Sequence, residues 1–283
     1  TWEQMDTLIS YNIHDVDETL KFYLRSLDAI EFREQLSFKY GRNFMNHNDT
    51  KIGKDFFIMR IEEAQPGSCF MFQEQPGGGS RRIPRQTVRQ TISLRDAVFP
   101  YVKFETPEFE RIRQYFLSQV ITETKGVFEN LTATVGGLTY VFGAGGIHGS
   151  IESNTVIADD DFAIIDVDVS SYYPSLAIVN KLYPAHIGPR FAEIYSDLRT
   201  ERKKYKKGTV ENAMLKLALN GTFGDTNNQY SPLYDPLMLL SITINGQLLL
   251  CMLAEQVIKI PGLSVIQVNT DGITVRCPRA HVD

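Results

Sequence analysis

From Trp2 to Ser26 apolar residues recur at helical spacing. Leu8, Ile13, Val16, Leu20 and Tyr23 fall roughly on one face, which predicts one helix or two packed on another surface. Between Phe32 and Phe72 the apolar runs shorten, as in Lys54-Asp55-Phe56-Phe57-Ile58-Met59-Arg60, and predict strands. Gln75-Pro76-Gly77-Gly78-Gly79-Ser80 breaks regular structure and predicts a flexible loop. The basic residues that follow, Arg81, Arg82, Arg85 and Arg89, form a positive edge suited either to phosphate or simply to solvent. Pro107 to Val120 predicts an amphipathic helix. Gly136 to Ser150 is rich in glycine but lacks the spacing, and the flanking strand and helix, of a dinucleotide fingerprint. The long apolar stretch from Pro236 to Ala254 is interrupted by Asn245, Gly246 and Gln247, and predicts a buried helix in preference to a membrane span.

Two segments place acidic residues where chemistry is plausible. Phe162 to Val169 alternates as a strand, with Ala163, Ile165, Val167 and Val169 on one side and Ile164, Asp166 and Asp168 on the other. Ser170-Ser171-Tyr172-Tyr173-Pro174 then predicts a hydroxyl-capped helix N-terminus beside Asp168, with free amides suited to an anion. Farther on, Val265 to Val268 and Ile273 to Val275 flank Asn269-Thr270-Asp271-Gly272, which predicts a hairpin with an Asp-Gly tip. Two carboxylates from separate strands beside a helix N-terminus suit magnesium, which prefers a few carboxylate oxygens plus substrate phosphate to a full protein cage. Between these strands, Arg199 to Gly208 and Glu211 to Asn220 predict a basic helix, a glycine turn and a second helix. Arg202 and Lys206 share a face of the first, Lys216 and Asn220 a face of the second, and the four converge on one triphosphate in this reading.

Composition narrows the class. The chain has 283 residues, a formal charge of -5 and 43% hydrophobic residues, enough for two modest cores. Cys69, Cys251 and Cys277 form neither a CxxC pair nor a ladder, so no zinc site or disulfide framework is predicted and a reducing compartment fits. No charged-then-apolar leader opens the chain. It starts at Thr1 and ends in Arg279-Ala280-His281-Val282-Asp283, which reads as truncation at both ends.

The motifs resemble those of family B DNA polymerases, especially bacteriophage ones. Asp168-Val169-Ser170-Ser171-Tyr172-Tyr173-Pro174-Ser175-Leu176 is similar to the first polymerase motif, DxxSLYPSI. Lys216-Leu217-Ala218-Leu219-Asn220-Gly221-Thr222-Phe223-Gly224 resembles the second, KxxxNSxYG, and Asn269-Thr270-Asp271-Gly272 the third, DTDS. Gly145 and Gly146 resemble the glycine pair between exonuclease and palm, and Tyr11-Asn12-Ile13-His14-Asp15 the YxxxD exonuclease motif. Departures are Asn269 for an aspartate, Phe223 for tyrosine, Gly221 and Gly272 for serines, and Tyr172 for leucine.

The resemblance implies an α+β fold: a palm with an antiparallel sheet flanked by helices, plus a helical-hairpin fingers subdomain. Residues 1–30 would be the remnant of a 3′-5′ exonuclease domain, carrying Tyr11 and Asp15. Residues 31–130 would connect it to the palm, 131–190 would be the first part of the palm, 191–224 the fingers, and 225–283 the second part of the palm, cut before the thumb. It implies deoxynucleotide addition to a primer 3′-hydroxyl. Asp168, Asp271 and the backbone of Val169 would hold two Mg2+ ions, for which Mn2+ substitutes. Ser170, Ser171, Tyr172, Tyr173, Arg202, Lys206, Lys216 and Asn220 would bind the nucleotide, with Tyr173 as steric gate, and Asp166 would be a supporting carboxylate. Gly145, Gly146, Gly224 and Thr270 would contact DNA. The implied partners are primer-template DNA and deoxynucleoside triphosphates, the implied state a monomeric core without a membrane, and the location the cytoplasm, that of the host cell for a viral protein. Two rivals stand beside this: a non-catalytic polymerase-like module that binds DNA, and the palm of an RNA polymerase or reverse transcriptase.

Overall fold

Three leading helices, α1 (Met5–Arg25), α2 (Leu27–Tyr40) and α3 (Asp49–Ala64), give way to a hairpin of β1 (Phe70–Glu74) and β2 (Ser80–Pro84). A short strand β3 (Ile92–Ser93), helix α4 (Pro107–Ser118) and strand β4 (Val120–Ile121) follow, then β5 (Thr132–Val135), β6 (Leu138–Phe142), β7 (Ile147–Ser150) and β8 (Phe162–Asp168). The remainder is α5 (Tyr172–Val179), α6 (Arg190–Arg202), α7 (Val210–Asp225), α8 (Pro236–Val257), β9 (Ser264–Asn269) and β10 (Gly272–Pro278). The computed structural model describes residues 4–282, so Trp2 of the first expected helix and the terminal Asp283 lie outside the described residues.

The fold is mixed, with helices around a six-stranded sheet of order β5-β6-β7-β9-β10-β8, antiparallel at every junction. Strand alternation separates its faces. Leu138, Tyr140, Phe142, Ile147, Val268 and Ile273 are buried on one side, whereas Thr139, His148, Gln267, Asn269, Asp166 and Asp168 are exposed on the other. The sheet therefore has a covered apolar face and an open polar one, as antiparallel sheets allow.

Helix α8 lies in the covered layer against β9, β10 and α5. Among the described residues it is the one helix long and apolar enough to cross a membrane, and it is buried in the fold, as its polar interruptions predict. Three buried polar groups along it, Asp235, Asn245 and Glu255, each tie down a loop, as buried polar groups need partners. Asp235 caps its start and pairs with Arg89 at 2.8 Å. Asn245 takes the Phe99 amide at 2.7 Å and gives to the Ala97 carbonyl at 2.7 Å. Glu255 accepts the amides of Glu105, at 3.0 Å, and Thr106, at 2.6 Å, at the start of α4.

The expected helix from Pro107 is present as α4. The strands expected between Phe32 and Phe72 are not, apart from the start of β1: most of that stretch is α2 and α3. Ile52, Phe56, Phe57, Ile58 and Ile61 are all buried, because α3 packs on both α6 and α7 and so shows no polar stripe to betray its period. The glycine run is the loop of the β1–β2 hairpin, with positive φ at Gly77, Gly78 and Gly79. Of the basic edge beside it, Arg89 is committed to Asp235, and the Arg82 guanidinium lies 3.4 Å from the centroid of the Phe70 ring.

Candidate active site

Register decides the site. In the antiparallel β8–β10 pair Asp168 stands opposite Gly272 and Asp166 opposite Thr274. Directly opposed residues share a face, so Asp168 ends β8 on the open side of the sheet, one residue across from Asp271. The Val169 amide donates to the Asp271 carbonyl at 2.8 Å and locks the two segments together. Gly272 has no room for a side chain: an added Cβ would lie 2.8 Å from the Val167 carbonyl and run into the Asp168 carboxylate. Thr274 gives its hydroxyl to Asp166 at 2.6 Å, so that carboxylate is already engaged.

The hairpin tip differs from the expected Asp-Gly turn. Asn269 pairs with Gly272, which makes Thr270-Asp271 the two-residue loop and Gly272 the first residue of β10. Thr270 takes the left-handed conformation, with φ 39°, and donates its amide to Ile147 at 2.9 Å. Ser171, at the start of α5, is also left-handed, with φ 49°, and makes no side-chain capping bond, contrary to the expected hydroxyl cap. A non-glycine residue there is uncommon, and one flanks each carboxylate. Val169 is likewise not free to offer its amide to an anion, since the Asp271 carbonyl takes it; its carbonyl remains as a candidate ligand.

Four distant segments meet behind the carboxylates. The Tyr173 hydroxyl donates to the Gly145 carbonyl at 2.7 Å, and a Cβ on Gly146 would lie 3.0 Å from that hydroxyl and 3.2 Å from the Thr270 methyl. Gly146 is thus wedged between the two, and only a glycine fits unforced. Burial and the nearby Asp271 charge push the Tyr173 phenol up to about 12, which keeps it a protonated donor. The Tyr172 ring is buried and gives its hydroxyl to Gly246 at 2.6 Å, so its side chain is a strut into α8.

Helix α7 brings Lys216, Asn220 and Phe223 along one stripe, with Lys216, Asn220 and Gly224 exposed. At the foot of the stripe the Phe223 ring meets Tyr173 edge-on at 4.8 Å, so the stripe descends toward the two carboxylates. The expected basic helix is shifted. Helix α6 runs from Arg190 and stops at Arg202, and Lys206 lies in the connecting turn, so Arg202 and Lys206 do not share a helix face. The Asn212 side chain caps this end by donating to the carbonyls of Arg202, at 3.4 Å, and Tyr205, at 2.9 Å, which supplies the missing helical acceptors with partners. Tyr11 and Asp15 lie on α1, which buries none of its side chains, and Asp15 is exposed.

Among the described residues neither Asp168 nor Asp271 enters an ion pair, and both are exposed at the sheet end. No third His, Cys, Asp or Glu among them completes a metal cage. The candidate donors, two carboxylates without ion pairs and a backbone carbonyl, are all oxygens, the type that magnesium or manganese takes when water and phosphate complete its shell. The groups that sequence reasoning missed are Asn245, Gly246 and Gln247. The polarity of Asn245 and Gln247 within an apolar run was the available signal, because buried amides demand partners.

No family model and no curated protein matches the chain. Among solved structures, the family B DNA polymerase from the hyperthermophilic archaeon Pyrobaculum calidifontis is similar at 18% identity and a TM-score of 0.30, over 43% of this chain. The match spans 21% of that polymerase's length. A likeness of this size carries no function across, and the chemistry follows from the residues themselves.

Proposed function

We propose that the chain is the palm and fingers core of a family B type DNA polymerase, which adds deoxynucleotides to a primer 3′-hydroxyl under the direction of a template. One observation carries the reading: Asp168, at the end of β8 on the open face of the sheet, and Asp271, in the β9–β10 loop, come to the same end of the sheet from far apart in sequence, and Tyr173, Gly146 and Thr270 meet beside them. In this reading Asp168, Asp271 and the Val169 carbonyl hold the metal ions. Two magnesium ions bound there would lower the pKa of the primer hydroxyl and neutralise the triphosphate as pyrophosphate leaves.

The protein's own groups do the rest. Lys216 and Arg202 grip the phosphates by charge-assisted hydrogen bonds, with Lys206 approaching from the turn. Asn220 lines the nucleotide pocket, and the Tyr173 ring lies beneath the deoxyribose and leaves no space for a 2′-hydroxyl. Gly145, Gly146, Thr270 and Gly224 border the DNA, and Asp166, held by Thr274, supports the sheet end. Residues 1–30, with Tyr11 and Asp15, belong to an exonuclease remnant in this scheme, and the site of action is the cytoplasm.

Asn269, standing where the family keeps an aspartate, favours the non-catalytic reading. Incubating the intact protein with a primed template, the four deoxynucleoside triphosphates and magnesium separates the two. Template-dictated extension supports the polymerase; binding of the primed DNA without extension leaves the DNA-binding module.

A further inference from the structure

Gln247, which the carboxylate chemistry leaves unused, stands at the head of a hydrogen-bonded chain that ends on Tyr173. It lies fully buried in the middle of α8. Its Nε2 donates to the Thr243 carbonyl at 2.9 Å, which fixes the direction of the amide. Its Oε1 then accepts the Gly143 amide at 3.0 Å. The same Gly143 N–H approaches the Gly146 carbonyl at 3.1 Å and closes the 143–146 turn. Within that turn the Gly145 carbonyl takes the Tyr173 hydroxyl at 2.7 Å.

The preceding residue reaches the same ring directly. A Cβ on Gly246 would lie 2.9 Å from Cε1 of Tyr173, so the bare backbone of α8 is packed against it. One turn of α8 therefore holds Tyr173 twice: Gly246 against the ring, and Gln247 through the glycine turn against the hydroxyl. A leucine would fill the position in an apolar helix without any polar partner, so the amide serves orientation more than packing.

We infer that Gln247 is a positioning residue for sugar selectivity: by fixing the 143–146 turn it sets how far the Tyr173 ring stands into the nucleotide pocket. This rests on the polymerase reading above. A steric gate discriminates through small differences in fit, so a loosened ring admits the 2′-hydroxyl while the groups that act on phosphate stay in place.

The test is single-nucleotide insertion by the intact protein, with deoxy- and ribonucleoside triphosphates, alongside hydrogen exchange of the 143–146 amides. In Gln247→Met the turn should exchange faster. The preference for deoxynucleotides should fall about tenfold, through a lower ribonucleotide KM, with the deoxynucleotide kcat held within about threefold. Should Gln247→Met fail to fold, Tyr173→Phe cuts the same chain at its other end and should also lower the preference. A wild type that extends, with a Gln247→Met preference unchanged despite faster exchange, overturns the inference alone. A wild type that extends no primer overturns the polymerase reading and the inference with it.

Discussion

Asp168 and Gly272 face each other across the β8–β10 pair, and the absence of a side chain at 272 is what lets the Asp168 carboxylate occupy the sheet end. Gly272→Ser should destabilise the fold by about 1–3 kcal/mol, the usual cost of forcing atoms into a filled space. Denaturant midpoints check this, and a variant as stable as the wild type would show that the strand ends yield freely.

Asp235 joins three segments through its pair with Arg89, its acceptance of the Ala185 amide at 3.0 Å and its capping of α8. At 2% exposure it cannot turn to water if a partner leaves. Asp235→Ala and Arg89→Ala should each cost about 3–5 kcal/mol, as removing one half of a buried pair does. Urea unfolding measures it; a loss under 1 kcal/mol for both, the order of a surface pair, would contradict the assignment.

Asp225, near the end of α7, carries a pH signature. Burial raises its carboxyl above the usual range, more than the neighbouring Lys54 at 3.3 Å and Asn228 lower it, while Asp55 adds to the rise. A folded pKa above the unfolded one means that the folded state holds the proton longer, so this group's contribution weakens as pH climbs from the ordinary carboxylate range through the raised value. Asp225→Asn, which cannot ionise, should therefore gain stability relative to wild type over that rise in pH, and the difference should be flat at lower pH. Unfolding free energies at a series of pH values decide it, and a difference that changes in the opposite sense would refute the burial account.

Tyr173→Ala removes the ring proposed as the gate. It should admit ribonucleotides at least tenfold better relative to deoxynucleotides, on the order of the discrimination that steric fit provides. Competitive insertion assays report the ratio, and unchanged selectivity would assign the ring to packing against Phe223 and α8.

The acidic strand, the hairpin and the buried helix were legible because each has a pattern that its environment preserves. The apolar run into Asp166 and Asp168 is strand β8, β9 and β10 flank a short polar tip, and α8 is a long apolar run. Helix α3 is not legible for the opposite reason: burial on several sides erases its stripe and leaves an apolar run that fits either period. The end of α6 depends on Asn212 of the next helix, a contact across the hairpin that local propensity does not encode. The left-handed Thr270 is tied through its amide to Ile147, a tertiary contact, and Gln247 meets Gly143 only when the glycine turn folds back onto α8.

The pairing of Asp168 with Asp271 is tested most directly by primer extension and DNA binding measured side by side on the intact protein, with Asp168→Asn and Asp271→Asn. Each single substitution should cut extension by about a thousandfold or more while the affinity for primed DNA stays within a few fold, because in the proposed mechanism both carboxylates act in the chemical step. Extension near the wild-type rate by either variant would contradict the account.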